Sequence, residues 1–222
     1  MAETASQPPA GLTREAEEAG FYHEAALNAS WTGARLAMGG LSFGFGAFIF
    51  AYFYLRSLNS HGMWHPAGFK NPQIGVGTVV VALIVVSAVL QTAVLQRIKA
   101  GRKGAWVNGA VVALVLGLAA IGLEVWQLDN LPFLAGISGY ASVFSGFWPV
   151  FTFVVFCMMV WLEILIMRAR PIPEISFVEQ APTYAEAFAV QRFQAGLSAF
   201  TAVWNYMAVV AIIAWVLFYL VH

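Results

Sequence analysis

Charge is what this chain has least of. Of its 222 residues only 11 are Lys or Arg and 11 are Asp or Glu, 10% in all, against about 25% in an ordinary soluble domain. The same chain is 60% hydrophobic, with a mean hydropathy of +0.75. One core cannot hide that much apolar surface, which excludes a water-soluble domain. Low charge with high hydrophobicity also excludes disorder. A net charge of zero leaves no basic face for nucleic acid. The single cysteine, Cys157, forms no disulfide within the chain and says nothing of redox compartment. A Walker-type glycine loop, a CxxC pair and a nucleophile elbow are all missing. An integral membrane protein remains.

The few charges gather between long apolar stretches, and these stretches set the fold. Five exceed the roughly 18 to 20 residues that cross a bilayer as a helix. They lie near Leu36–Leu55, Ile74–Gln96, Ala105–Leu128, Ser142–Met167 and Phe193–Val221. Helix is required because an open strand edge is unsatisfied in lipid, and the runs lack a barrel's alternation. The sequence therefore predicts an all-α polytopic bundle over 34–222, preceded by a polar segment 1–33. Residues 1–30 have no apolar h-region and do not read as a signal peptide. Thr13–Asn28 is expected to form a short surface helix, capped by Thr13 with Glu15, Glu17 and Glu18 in its first turn. Pro171, Pro173 and Pro182 make the segment Pro171–Tyr184 read as an extended tether.

Orientation follows from the basic residues. With the N-terminus inside, Arg14, Arg35, Arg97, Lys99, Arg102, Lys103, Arg168, Arg170 and Arg192 all face the cytoplasm. Only Arg56 and Lys70 fall outside. The expected topology is N-terminus cytoplasmic and C-terminus outside.

Few residues within the spans carry chemistry. None of the four histidines, His23, His61, His65 and His222, falls inside a span, which argues against a haem held by two histidines at membrane depth. His61 and His65 alone make an incomplete zinc site, and polarity of an interfacial loop around Trp64 is the preferred reading. Cys157, among Phe156, Met158 and Met159, reads as a small packing residue. Gly40-xxx-Gly44 permits close helix approach and nothing more specific. Two carboxylates interrupt the spans, and each costs several kcal/mol in hydrocarbon unless neutral or paired. Glu163 lies about one turn from Arg168 and reads as interfacial. Glu124, followed by Trp126, Gln127 and Asp129, stands open as a proton acceptor, a lipid or subunit contact, or a buried neutral acid. The thin polar content of the midplane, Gln91, Thr92, Thr201 and Asn205 with a few serines, favours a subunit that packs against something else over a transporter.

Several segments then resemble one family. GAFIFAYFYLRSL (Gly46–Leu58) is similar to an aromatic-rich helix and loop of haem-copper (cytochrome c) oxidase subunit III. GLEVWQLDNLPF (Gly122–Phe133) and SGYASVFSGFW (Ser138–Trp148) resemble its next helix end, loop and helix start, and FTAVWNYMAVVAIIAWVLFYL (Phe200–Leu220) its last helix. The match runs in order from about Leu36 to Val221, with the helix count of the short five-helix bacterial form. The resemblance implies a non-catalytic subunit in a bacterial plasma membrane, with haems and copper in partner subunits I and II. It implies bound phospholipid in a cleft between helix groups, and roles in proton uptake and catalytic lifespan. It also implies a gap where longer members carry two further N-terminal helices, to be filled by lipid or another chain. The chain departs from the family at Leu41-Ser42-Phe43, where a carboxylate is usual, and at Trp148 and Phe151, where histidines are common. Glu124 and Gln127 exchange the family's Gln and Glu. No proton-transfer residue is therefore carried over; Arg56, Glu124 and Tyr140 are named as candidate lipid or subunit contacts. A related quinol oxidase or nitric oxide reductase subunit, and a small proton channel using Glu124, are the alternatives.

Overall fold

The first helix is far longer than a bilayer requires. In the computed structural model, which describes residues 14–59, 62–177 and 184–221, α1 runs unbroken from Arg14 to Leu58. Its 45 residues rise about 68 Å at 1.5 Å each, twice the hydrocarbon thickness. The expected separate surface helix is thus the first part of α1, with no break at residue 33; Thr13, its expected cap, lies outside the described residues. No proline or turn signal stands between the polar start and the apolar run, so nothing stops the helix.

Four further helices follow: α2 (Ile74–Lys99), α3 (Lys103–Asp129), α4 (Gly139–Ala169) and α5 (Tyr184–Trp215), the last closing in a π-helical turn, Val216–Leu220. All five are long and apolar enough to cross a membrane, and no strand occurs among the described residues. The chain is a multi-pass membrane protein. The helices extend past the expected spans at one or both ends, most of all α1 at its start and α5, which begins at Tyr184 rather than Phe193 and ends its π-turn at Leu220. Within the proline-bearing segment a short 3₁₀ turn forms at Glu174–Phe177, where a featureless tether was expected; 178–183, with Glu179 and Pro182, lie outside the described residues.

The turn between α2 and α3 shows how the sequence sets neighbours. Gly101 adopts φ 78°, a left-handed conformation that a side chain resists. Its N–H donates to Ile98 O at 3.0 Å, and the Arg102 N–H donates to Arg97 O at 2.9 Å. This Schellman closure reverses the chain within three residues and lays α3 antiparallel on α2. Arg97 and Lys99, in the last turn of α2, oppose the negative helix end. Lys103 extends from the start of α3 to the carbonyls of Arg170 and Ile172, tying down the end of α4. At the other end, Ser138 caps α4 by accepting from the Ala141 N–H at 3.1 Å.

Helices α2, α3, α4 and α5 form a closed ring, in which α2 packs on α3 and α5, and α4 on α3 and α5. Helix α1 lies outside the ring against α4 and α5. Glycine permits the closest approaches inside the ring. A Cβ at Gly109 would stand 2.2 Å from Val94 Cγ1, and one at Gly117 would stand 2.1 Å from Met159 Sδ. Gly40 and Gly44 have nothing within 4 Å of an added Cβ, so their GxxxG spacing brings no helix of this chain close. Cys157 is exposed rather than packed.

Candidate functional site

The three residues singled out as contacts fall in two places. Tyr140 and Arg56 both serve the end of α5. A π-turn displaces the usual carbonyl partners of a helix end, and side chains collect them here. The Tyr140 hydroxyl donates to Phe218 O at 2.8 Å, the Tyr52 hydroxyl donates to Leu217 O at 2.9 Å, and Arg56 donates to Val221 O. Tyr140 is fully buried, among the rings of Trp64, Phe69, Phe133 and Phe144. Its hydroxyl is used within the chain, on the end of α5. Arg56 is half-buried and spends its guanidinium on the chain's own last turn. Its sequence signature, an arginine at a span end, is the same for both uses.

His65 belongs to this cluster, with its ring 4.8 Å from Tyr140 and 5.1 Å from Phe69. It stands beside Trp64 in the same loop, as part of an aromatic cap over the helix ends. His61 and His222 lie outside the described residues. Among the described residues no three His, Cys, Asp or Glu side chains gather where a metal ion would sit. Glu163 and Arg168 are exposed on α4.

Glu124 lies elsewhere, inside the ring. It is 2% exposed, and neither carboxyl oxygen has a hydrogen-bond partner among the described residues. Residues of α2 and α4 enclose it within the chain. A small cavity lies beside it, lined by Val80 and Ile84 of α2, Ala120 and Ile121 of α3, and Phe151, Thr152 and Val155 of α4. One turn along α3, Gln127 donates to the Tyr219 hydroxyl at 2.6 Å. Gly77 makes that bond possible, since a Cβ there would overlap the Tyr219 ring at 2.5 Å.

The scattered midplane polar residues are mostly paired. Ser87 donates to Ala113 O at 2.8 Å and lies 3.2 Å from Trp204 Nε1, which donates to it. Asn205 donates to Thr92 Oγ1 at 3.0 Å, joining α5 to α2. Gln91 is fully buried, and neither amide atom is bonded among the described residues. These pairs bind the ring together; they do not converge on one substrate position.

Two larger openings were not legible from residue types. An apolar cleft of about 190 Å³ separates α1 from α5. It is lined by Phe45, Gly46, Ile49, Val209, Ile213 and Ala214 among others, and bridged by Ser42 Oγ and Tyr206 OH at 2.9 Å. A second opening, about 460 Å³, is lined by Arg168 and Arg192 over Trp161, Leu165 and Phe193. Two guanidinium groups above an apolar floor suit an amphiphile with an anionic head. No family model matches the chain, and no curated protein is detectably similar to it in sequence.

Proposed function

We propose that this chain is the non-catalytic subunit III of a bacterial respiratory cytochrome c oxidase. It packs against the many-helix catalytic subunit, and with lipid it supports oxygen reduction and proton pumping there. The observation that carries the reading is the isolation of α1. In the most apolar window of that helix 11% of residues are buried, against 28 to 44% in the other four. Phe43 is 84% exposed and Phe50 70%, so a whole membrane-depth face awaits lipid or protein. The ordered segment resemblance supplies the identity of that neighbour.

Lipid fits the same reading at two separate places: an acyl chain in the α1–α5 cleft, and the anionic head of another lipid at Arg168 and Arg192, toward the other end of α5. The nine-to-two basic asymmetry supports an inside N-terminus in a bacterial plasma membrane. Haem and copper belong to the partner subunits.

Deletion of the chain tests the function. Membranes without it are expected to keep the haem spectrum of the oxidase while oxygen consumption decays faster during turnover. Loss of the haem spectrum, or oxygen consumption of unchanged rate and duration, overturns the proposal.

A further inference from the structure

Thr152 behaves unlike three other threonines of the helices. Thr78, Thr92 and Thr201 each donate to the carbonyl four residues back, at 2.7 to 2.9 Å, the usual way a helical threonine satisfies itself in an apolar setting. Thr152 is buried on α4 and its hydroxyl has no partner among the described residues. It lines the same cavity as Glu124, whose two carboxyl oxygens are also unpartnered. The cavity volume is about 10 Å³, close to the roughly 10 to 15 Å³ that a single water requires. Its remaining walls are aliphatic or aromatic, and no cation faces it to balance a carboxylate.

We propose that this cavity is a one-water site in which Glu124, as the neutral acid, and Thr152 share a bound water. The carboxylic O–H and the Thr152 hydroxyl each donate to the water. One water hydrogen returns to the carbonyl oxygen of Glu124, giving the three hydrogen bonds typical of buried water. A neutral acid has one donor and one acceptor facing that position, whereas a carboxylate would stay uncompensated in the ring. The site holds one exchangeable proton and ties α3 to α4 at membrane depth. Gln127 Oε1, one turn along α3, likewise has no partner among the described residues.

Infrared difference spectroscopy on the protein in its native membrane complex tests this. Glu124→Gln is expected to remove one protonated-carboxyl C=O band, placed where a hydrogen-bonded acid absorbs and shifted down in D₂O. Thr152→Val, which keeps Glu124, should move that band up toward a free acid, while Thr152→Ser should leave it in place. Two results overturn the proposal: no protonated-carboxyl band that depends on Glu124, or a band already at the free-acid position and unmoved by Thr152→Val. The Thr152 pair reads the site even if Glu124→Gln fails to assemble.

Discussion

Three glycine-to-alanine substitutions separate tight from open helix packing. At Gly109 the new Cβ would meet Val94 Cγ1 at 2.2 Å and Val94 Cβ at 3.2 Å, where carbon atoms prefer about 3.5 to 4.0 Å. Valine is stiff at χ1, and its Cβ cannot swing away, so α2 and α3 must separate. At Gly117 the obstacle is the thioether of Met159, which has three rotatable bonds and can move aside. At Gly40 nothing lies within 4 Å. Alanine gains about 0.8 to 1.0 kcal/mol of helix propensity at each position, so comparison between variants cancels that gain. Overpacking then leaves Gly109→Ala about 1 to 3 kcal/mol less stable than Gly40→Ala, with Gly117→Ala between them. Unfolding in mixed micelles of rising sodium dodecyl sulfate fraction measures the order. Equal midpoints for Gly109→Ala and Gly40→Ala would refute the close α2–α3 contact.

Further outcomes follow from single hydrogen bonds. Ser87→Ala leaves the Trp204 indole N–H without its acceptor and should cost about 1 to 3 kcal/mol in the same assay; adding Trp204→Phe should recover part of it. Arg56→Ala with Tyr52→Phe should speed backbone hydrogen exchange at 217–221, read by mass spectrometry, while α2 and α3 stay protected. Cys157→Ala should change stability by no more than about 0.5 kcal/mol, as expected for an exposed side chain. Glu124→Gln should lower turnover or retention of the chain in its complex modestly while the haem absorbance persists; complete haem loss would count against an accessory role.

Much of the fold is written in the chain at low resolution. Hydrophobic length alone marks five helices, because lipid leaves backbone no other way to satisfy itself. The ends are harder: α1 begins at Arg14 rather than near Leu36, since polar helix-forming residues continue a helix that hydropathy cannot see. Small residues were the least legible. Gly40 and Gly44 carry the recognised spacing yet pack against no helix among the described residues, whereas Gly77 stands alone, and Gly109 and Gly117, in the small-residue register Ala105, Gly109, Ala113, Gly117, make close approaches. What distinguishes them is the partner across the gap, which no single segment records. Glu124 was conspicuous as a charge in a span, and its burial fits the neutral-acid alternative. Thr152 gave no signal among its phenylalanine neighbours, although a buried carboxyl implies a polar companion somewhere. Arg56 and Tyr140 were conspicuous too, but the π-turn they serve has no sequence mark.

The most direct measurement is mass spectrometry of the complex drawn from mildly solubilised native membranes through a tag on this chain. The account predicts one copy of the chain with a many-helix haem-bearing subunit and a copper-bearing partner. Elution of the chain alone, or only with copies of itself, would contradict it.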